Sequence, residues 1–430
     1  MVHPAGALHA HGGPHAAAHA SYAAMHQLGS GVSIMAAAQA TLTSGDYQGL
    51  ATRVGHVRLC GAVVEPLIDW STCPGSTRRF HNDSHAVAVL RAHHSFTRFK
   101  AAAVEARRAG LGIVLNPLHR VFTLDISSDT LRWVWTLMMS EFELEEWPAD
   151  RVLFELANEP GNFNNHSVAR GRARFVDLLP PLLAQIAHAQ PPRVMVLGGE
   201  MGYRDDYMGG TDFVNSGPAL VRDAAALLAL ARRHTASNLI ATFHFYRPRP
   251  FTNQGMPEVA VAQPRWEGTA ADIEDLASQF RDVAQALNGS MPVYLGEFGI
   301  NIDFLPEPRD GVSWVRAVRG LAEAHGFAWA YWTYYLSPKA ATTASTSALR
   351  IQQWDCSPLV AELFGRAGAR SGGSGDGGNS ADCPPRNVTV LDADSFHQSK
   401  EFRGGKGACN DRRPRYAMGK LRPPMSPVEP

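Results

Sequence analysis

The chain has 430 residues, of which 45% are hydrophobic and 19% are charged, a composition typical of a globular protein with a large buried core. Basic and acidic residues are equal in number at 40 each, which argues against a surface for nucleic acid or an anionic membrane, and no apolar run approaches the roughly 18 residues of a membrane span. The five cysteines are too few and too scattered for a disulfide framework, and none has the spacing of a metal site.

The two ends of the chain have the composition of tails. Residues 1–27 are a His/Ala-rich mixture that we expect to be a disordered extension, and they lack the unbroken apolar segment of a signal peptide. Residues 371–380, SGGSGDGGNS, are typical of a flexible linker, so residues 368–430 are interpreted as a linker and a disordered tail. One folded domain is therefore predicted over residues 28–367.

Within this domain, short β-rich runs alternate with amphipathic stretches, the pattern of a parallel sheet covered by helices. The clearest helices are residues 96–110 and 271–289, which both end at a glycine. Eight alternations predict a (β/α)8 barrel. A doubly wound open sheet is the competing fold, but the first strand is not followed by a G-x-G-x-x-G phosphate turn. The predicted strands are residues 31–36, 56–60, 112–116, 152–156, 193–198, 238–243, 292–296 and 328–332.

Polar or aromatic side chains stand at or after the carboxyl ends of six of these strands, and in a (β/α)8 barrel those ends form the active face. Taken alone, each has an ordinary structural explanation, such as a core-edge ion pair for Arg58 or barrel packing for Trp332. The strand starts, Val152, Pro292 and Ala328 among them, are apolar or neutral, so the asymmetry predicts one site at one mouth of the barrel. The side chains concerned are Arg58, His119, Asn158, Glu159, His244, Tyr246, Glu297 and Trp332.

Glu159 and Glu297, after strands four and seven, would face each other across this mouth, which is the arrangement that glycoside hydrolysis needs. A separation of about 5–5.5 Å between the carboxyl groups would indicate a retaining mechanism and about 6.5–9.5 Å an inverting one, and the sequence leaves both open. We interpret Glu200 and Asp125 as ordinary polar residues. Glu155 lies in mid-strand, so we expect it to pair with a basic group inside the barrel.

Four segments resemble the motifs of glycoside hydrolase family 5, the cellulase-like retaining (β/α)8 glycosidases. They are VLFELANEPG at 152–161, LIATFHFYRPRPFTNQG at 239–255, MPVYLGEFG at 291–299 and FAWAYWTYY at 327–335. They occur in the family's order, each on the expected strand, and the resemblance spans about residues 28–365. It implies a retaining glycosidase without a cofactor or a metal, with Glu159 as general acid/base and Glu297 as nucleophile.

The resemblance also implies supporting roles. Arg58 and Tyr246 are expected to donate hydrogen bonds to Glu297, Asn158 to bind the sugar 2-hydroxyl, and the two histidines to line the same subsite. Trp332 would offer a ring face on which a pyranose stacks. The complete set of supporting and substrate-binding positions is Arg58, His119, Asn158, His244, Tyr246, Trp332 and, after strand five, Tyr203.

The sequence departs from the family at two substrate-binding positions, with Asn116 where relatives often carry Asp and Asn253 where many carry His. The leading hypothesis is a monomeric endo-β-1,4-glucanase that acts on polysaccharide or oligosaccharide, and the family usually acts outside the cell. A β-mannanase or a β-1,3-glucanase is the runner-up, because loops rather than the acids select the sugar.

Two alternatives come from other functional classes. A non-catalytic carbohydrate-binding barrel would lack one of the two acids, and both stand in intact motifs. A metal-dependent (β/α)8 hydrolase that used His119 and His244 would need a His-x-His motif or a bridging carboxylate cluster, neither of which the sequence contains.

Overall fold

The structure is a computed structural model of the chain. Glu200, Tyr203, Asp125 and Asn253 lie outside the described residues, as does the predicted linker and tail at 368–430. The residues that the structure describes are 19–35, 42–69, 76–77, 80–119, 127–160, 175–199, 217–233, 238–252, 265–300, 308–335, 349–350 and 358–364.

Eight parallel strands form a closed barrel. Each strand pairs with the next one along the chain, and the eighth pairs with the first. All eight predicted strands coincide with barrel strands, so the predicted (β/α)8 fold is confirmed. The barrel strands are β1 (Ser30–Met35), β2 (His56–Cys60), β3 (Gly112–Asn116), β4 (Val152–Glu155), β5 (Met195–Gly198), β6 (Leu239–Phe245), β7 (Val293–Phe298) and β8 (Ala328–Tyr335).

Helices between the strands cover the outside of the barrel. The two helices predicted most clearly are α4 and α9, displaced by at most two residues at either end. The helices are α1 (His19–Leu28), α2 (Ser44–Ala51), α3 (Asp83–Ala92), α4 (His94–Arg108), α5 (Ser128–Glu141), α6 (Phe175–Ala189), α7 (Gly217–Arg233), α8 (Arg249–Thr252), α9 (Ala270–Leu287), α10 (Pro308–Ala324) and α11 (Pro358–Phe364).

Helix α9 illustrates why these segments are helical. Thr269 forms a capping box with Asp272, and the helix ends at Asn288, whose φ of 45° lies in the left-handed region that asparagine tolerates. Between the caps, the apolar side chains at helical spacing face inward. Phe280 packs edge-to-face on Phe243 of β6, with ring centroids 5.5 Å apart. Local capping and burial against the barrel therefore specify the same helix.

Helix α1 lies where the sequence predicted a disordered extension through residue 27. Ala24, Met25 and Leu28 are buried, and they belong to an apolar cluster with residues of the barrel interior. The backbone N–H of Trp329, near the start of β8, donates a hydrogen bond of 3.2 Å to the carbonyl of Gly29. The folded region thus begins earlier than predicted, because the His/Ala-rich composition concealed a helix that closes the N-terminal end of the barrel.

Short elements that were not predicted accompany the barrel. Ile68–Asp69 and Ser76–Thr77 form an antiparallel pair after β2, and Leu349–Arg350 adds a parallel pairing to β8. A 3-10 turn occupies Glu65–Leu67. Among the described helices, none has the length and apolarity that crossing a bilayer requires. The barrel and its covering helices are therefore the framework that positions the site.

Candidate active site

Two acidic side chains lie at the carboxyl-terminal mouth of the barrel. Glu297 belongs to β7 and is 4% exposed, and Glu159 follows β4. Glu159 has a φ of 41°, a left-handed backbone conformation that is uncommon for a residue other than glycine. Such conformations concentrate at functional sites, because the surrounding structure must hold them against their cost.

His244, on β6, lies between the two acids. Its Nδ1 atom is 2.7 Å from Glu159 Oε1 and 3.5 Å from Glu297 Oε2. One carboxylate oxygen of each acid and a ring nitrogen of His244 all lie within 4.8 Å of one another. The two carboxyl groups therefore face one small space.

Arg58, on β2, connects the nucleophile candidate to the barrel interior. Its Nη1 donates to Glu297 Oε1 at 2.6 Å, and its Nη2 donates to Asn158 Oδ1 at 2.7 Å. The same guanidinium forms a two-point ion pair with Glu155, through Nε at 2.5 Å and Nη2 at 2.7 Å. The structure thus supplies the basic partner that the sequence predicted for Glu155.

Tyr246 donates from its hydroxyl group to the second oxygen of Glu297, Oε2, at 2.9 Å. Burial, together with the neighbouring carboxylate of Glu297, raises the pKa of Tyr246, so the hydroxyl keeps its proton and remains a donor. Arg58 and Tyr246, which the sequence predicted as donors, therefore both contact Glu297, each at a different carboxylate oxygen. Hydrogen bonds to a carboxylate favour its ionised form.

Opposing effects set the protonation of this group of side chains. Burial raises the pKa of Glu297, the positive charges of His244 and Arg58 lower it, and the negative charge of Glu159 raises it again, with a net upward shift. For His244, burial lowers the pKa, but the carboxylates of Glu297 and Glu159 outweigh burial and raise it. The ionisation of Glu297 and that of His244 therefore depend on each other.

The remaining predicted contacts surround the same mouth. Asn158 is buried, and its Nδ2 donates to the carbonyl of His119 at 3.2 Å, so its amide is held from both ends. The ring of His119 stacks on Trp332, with centroids 4.8 Å apart and planes inclined by 12°. His119 Nδ1 lies 4.0 Å from Glu297 Oε1. One face of the Trp332 ring is thus covered by His119.

Three groups of potential metal-ligating side chains occur among the described residues. They are Cys60–His119–Glu297, Glu159–His244–Glu297 and Glu65–His93–His94. In the first group, Arg58 Nη1 lies 3.2 Å from the Cys60 sulfur and 2.6 Å from the Glu297 carboxylate, so a guanidinium already supplies the positive charge. In the second group, the hydrogen bond between His244 Nδ1 and Glu159 accounts for the close approach. The third group adjoins the N-terminus of α4, where the helix dipole disfavours a cation.

Eight of the nine predicted site residues lie together at this mouth, and the ninth, Tyr203, falls outside the described residues. Two further contacts were missed by sequence reasoning. Cys60 lies two residues after Arg58 and contacts its Nη1, and the period of two in a strand could have indicated that. Gly296 leaves room for β6, because a Cβ atom there would lie 2.7 Å from Thr242 Oγ1 and 3.2 Å from His244 Nε2.

Comparisons with known proteins agree with this geometry. The family model described as cellulase (glycosyl hydrolase family 5) matches residues 76–336. Endoglucanase H of Acetivibrio thermocellus is 25% identical over 204 residues, which cover 46% of this chain and 18% of that protein. The chain therefore matches a small part of this longer relative.

Solved structures support the fold. A hyperthermophilic endo-beta-1,4-glucanase in complex with substrate superposes with a TM-score of 0.54 at 19% identity, covering 80% of this chain and 99% of the other. Cel5A of Thermotoga maritima in complex with mannotriose gives a TM-score of 0.55 at 18% identity, covering 80% of this chain and 100% of the other. At this level of identity, the likeness concerns the fold.

Proposed function

Because the chain belongs to the glycosyl hydrolase family 5 cellulases and is a glycosidase, we propose that it is an endo-acting glucanase that cleaves β-1,4-linked glucan with retention of configuration. The observation that carries this proposal is the approach of Glu159 and Glu297, whose nearest carboxylate oxygens lie within 4.8 Å of each other. This spacing leaves a sugar ring in reach of both acids and suits direct attack by one of them.

In the proposed mechanism, Glu297 attacks the anomeric carbon and forms a glycosyl-enzyme ester. Glu159 protonates the leaving oxygen, then removes a proton from the water that hydrolyses the ester, which returns both carboxyl groups to their initial states. The hydrogen bonds from Arg58 and Tyr246 support the ionised nucleophile. Glu159 has no such pair of donors among its described contacts, and its partner His244 can share the proton.

Asn158 and Trp332 would contact the sugar at the cleavage site, the first through its amide and the second through its indole ring. β-Mannan is the second candidate substrate, because a structural neighbour with the same fold has been solved with mannotriose. Loops at the barrel mouth, rather than the acids, would decide between the two.

A substrate panel tests the proposed activity. Carboxymethylcellulose, β-mannan, xyloglucan, laminarin and chromogenic glycosides would be incubated with the enzyme, and the anomeric configuration of the first product followed by proton NMR. We expect the highest kcat/KM on a β-1,4-glucan, with β-configured product. Preference for mannan would replace the substrate assignment, and α-configured product would contradict the double displacement.

Variants of the proposed nucleophile test the assignment of roles. Glu297→Ala should reduce turnover by about 10⁴-fold or more while oligosaccharide binding persists, because only the bond-forming group is lost. The control Glu274→Ala changes an exposed glutamate of α9 that pairs with Arg281 and should leave turnover unchanged. With Glu297→Gly, added azide should restore activity and yield the inverted glycosyl azide. Full activity of Glu297→Ala would refute the assignment.

A further inference from the structure

The guanidinium of Arg58 is shared by two carboxylates inside the barrel. Two of its hydrogen bonds reach Glu155, at 2.5 and 2.7 Å, and one reaches Glu297, at 2.6 Å. Arg58 and Glu155 are both fully buried. When a buried arginine bonds two carboxylates, each carboxylate offsets part of the positive potential that the other experiences, and the orientation of the arginine depends on both.

Among the described residues, Glu155 is linked to Glu297 through Arg58. It is the last residue of β4, four positions before Glu159, and its carboxylate is completely enclosed. Both of its oxygens accept from Arg58. Its two bonds hold the guanidinium plane, and the remaining donors of that plane then meet Glu297 and, at 2.7 Å, Asn158.

We propose that Glu155 is a positioning residue for the reaction. It holds Arg58 in place, and its negative charge offsets part of the positive potential of Arg58 at Glu297, so it sets how strongly the ionised form of Glu297 is favoured. This inference rests on the proposed function for the role of Glu297. It assigns to Glu155 both a geometric and an electrostatic effect, and the two can be separated by substitution.

The electrostatic effect has a definite sign. Replacing Glu155 by neutral glutamine removes a negative charge near Glu297. The positive charge of Arg58 is then no longer partly offset, so the pKa of Glu297 should fall. The other groups that face Glu297 stay in place. Among the described residues, the groups that face Glu297 are Cys60, His119, Glu159, His244 and Tyr246. The titratable groups near Glu155, besides Arg58, are Cys60 and Tyr294.

The test compares kcat/KM against pH for full-length wild type, Glu155→Gln and Glu155→Asp. The lower limb of this profile reports the ionisation of the nucleophile in the free enzyme. For Glu155→Gln we expect kcat/KM to fall about tenfold or more and the lower limb to move down by about one pH unit. Glu155→Asp keeps the charge but has a shorter reach, so its kcat should fall while the limb stays in place.

Gln190 offers a matched control. Its Oε1 accepts from Nε of Arg193, another buried arginine, at 2.8 Å, but Arg193 otherwise donates to the backbone carbonyls of Val152, Phe142 and Trp147 rather than to the acids. Gln190→Ala should lower the melting temperature and leave the pH profile unchanged. An unmoved lower limb in Glu155→Gln, or wild-type kcat in Glu155→Asp, would overturn the proposal.

A measurement without turnover keeps the test independent of the proposed function. Carbon-13 labelling of the glutamate carboxyl groups, with the Glu297 signal assigned from Glu297→Gln, follows the titration of Glu297 directly. A downward shift in Glu155→Gln supports the inference, and an unchanged titration overturns it. If wild type hydrolyses none of the polysaccharides, the proposed function fails while this titration still decides the role of Glu155.

Discussion

At the scale of single residues, the site is organised around Glu297 and its donors. Each oxygen of its carboxylate accepts one hydrogen bond, from Arg58 Nη1 at 2.6 Å and from the Tyr246 hydroxyl at 2.9 Å. Burial works against these bonds by raising the pKa of the carboxyl group. Removing any one donor should therefore move the protonation of Glu297 in a direction that can be stated in advance.

Tyr246→Phe removes the donor to Glu297 Oε2 and leaves the ring in place. The charged form of Glu297 loses a hydrogen bond, so its pKa should rise and the lower limb of kcat/KM should move up by about one pH unit. This shift is opposite in sign to that expected for Glu155→Gln. The control is Tyr47→Phe, at a buried tyrosine next to Glu105 and Asp46, which should leave the limb unchanged. A downward or absent shift in Tyr246→Phe would contradict this account of the site.

Gly296→Ala tests the close packing behind the nucleophile. The new Cβ atom would lie 2.7 Å from Thr242 Oγ1 and 3.2 Å from His244 Nε2, so the Thr242 hydroxyl or the backbone must shift and the imidazole must also give way. We expect kcat/KM to fall by about 100-fold, as for displacements of about 1 Å at other active sites. Gly320→Ala, in α10 with open space around it, should keep full activity. Wild-type kinetics for Gly296→Ala would show that this packing is not required.

At the scale of elements, hydrogen bonds connect α1 to β2 and β7 at the N-terminal end of the barrel. His56, at the start of β2, is fully buried, and its Nδ1 lies 2.9 Å from the carbonyl of Leu28 at the end of α1. Its Nε2 lies 2.9 Å from the hydroxyl of Tyr294 on β7. With Nδ1 as donor and Nε2 as acceptor, a neutral imidazole satisfies both partners. The helix is thus attached by a polar contact as well as by apolar burial.

Acid should weaken the fold through His56. Burial lowers its pKa to about 4, whereas an unfolded histidine titrates near 6.5. Between these values the unfolded state binds a proton that the native state does not, so the free energy of unfolding should fall by about 3 kcal/mol as the pH drops from about 6.5 to 4. Urea unfolding of wild type and His56→Gln across this range measures it. The variant should lose less stability on acidification, and parallel curves would refute the assignment.

Deleting residues 1–28 tests the contribution of α1. The side chains of Met25 and Leu28 are buried, and fully burying one such side chain contributes roughly 1.5–3 kcal/mol. We expect the free energy of unfolding to fall by about 3 kcal/mol or more in this truncation, measured by denaturant titration. Deleting residues 1–18 alone, which spares the helix, is the control and should have little effect. Equal stability of the two truncations would mean that α1 contributes nothing to the barrel.

At the scale of the whole molecule, one closed barrel explains both the stability and the site. Closure brings the ends of β2, β4, β6 and β7 to one mouth, although their residues are far apart in the chain. Helix α11 still contacts this unit, since Arg316 of α10 donates to Glu362 at 2.6 Å. We therefore expect the catalytic unit to end close to residue 367.

Removing residues 368–430 tests this boundary. The segment is rich in Gly, Ser and Pro and has little apolar sequence with which to build a core, so the truncated protein should keep its activity on soluble oligosaccharides within about twofold. Steady-state kinetics and a thermal melt of both proteins provide the measurement. An inactive or unfolded truncation would show that the segment belongs to the fold.

The sequence by itself determined the barrel and the identity of most site residues. The eight strands are local apolar runs bounded by turns or helices, and their order alone limits the architecture. Glu159, His244 and Glu297 stand out because charged or titratable groups at the ends of buried runs are costly unless they are used. These signals are local, so they can be recognised in the sequence without knowledge of the neighbouring strands.

Only the tertiary structure decided how these residues meet. The approach of Glu159 to Glu297, the division of Arg58 between Glu155 and Glu297, and the need for glycine at 296 depend on barrel closure and on side-chain directions across strands. Helix α1 was missed for the same reason, since Ala24, Met25 and Leu28 gain their burial from the barrel interior and not from a pattern in their own segment. Distances across a closed sheet are properties of the whole fold, which no local stretch of sequence contains.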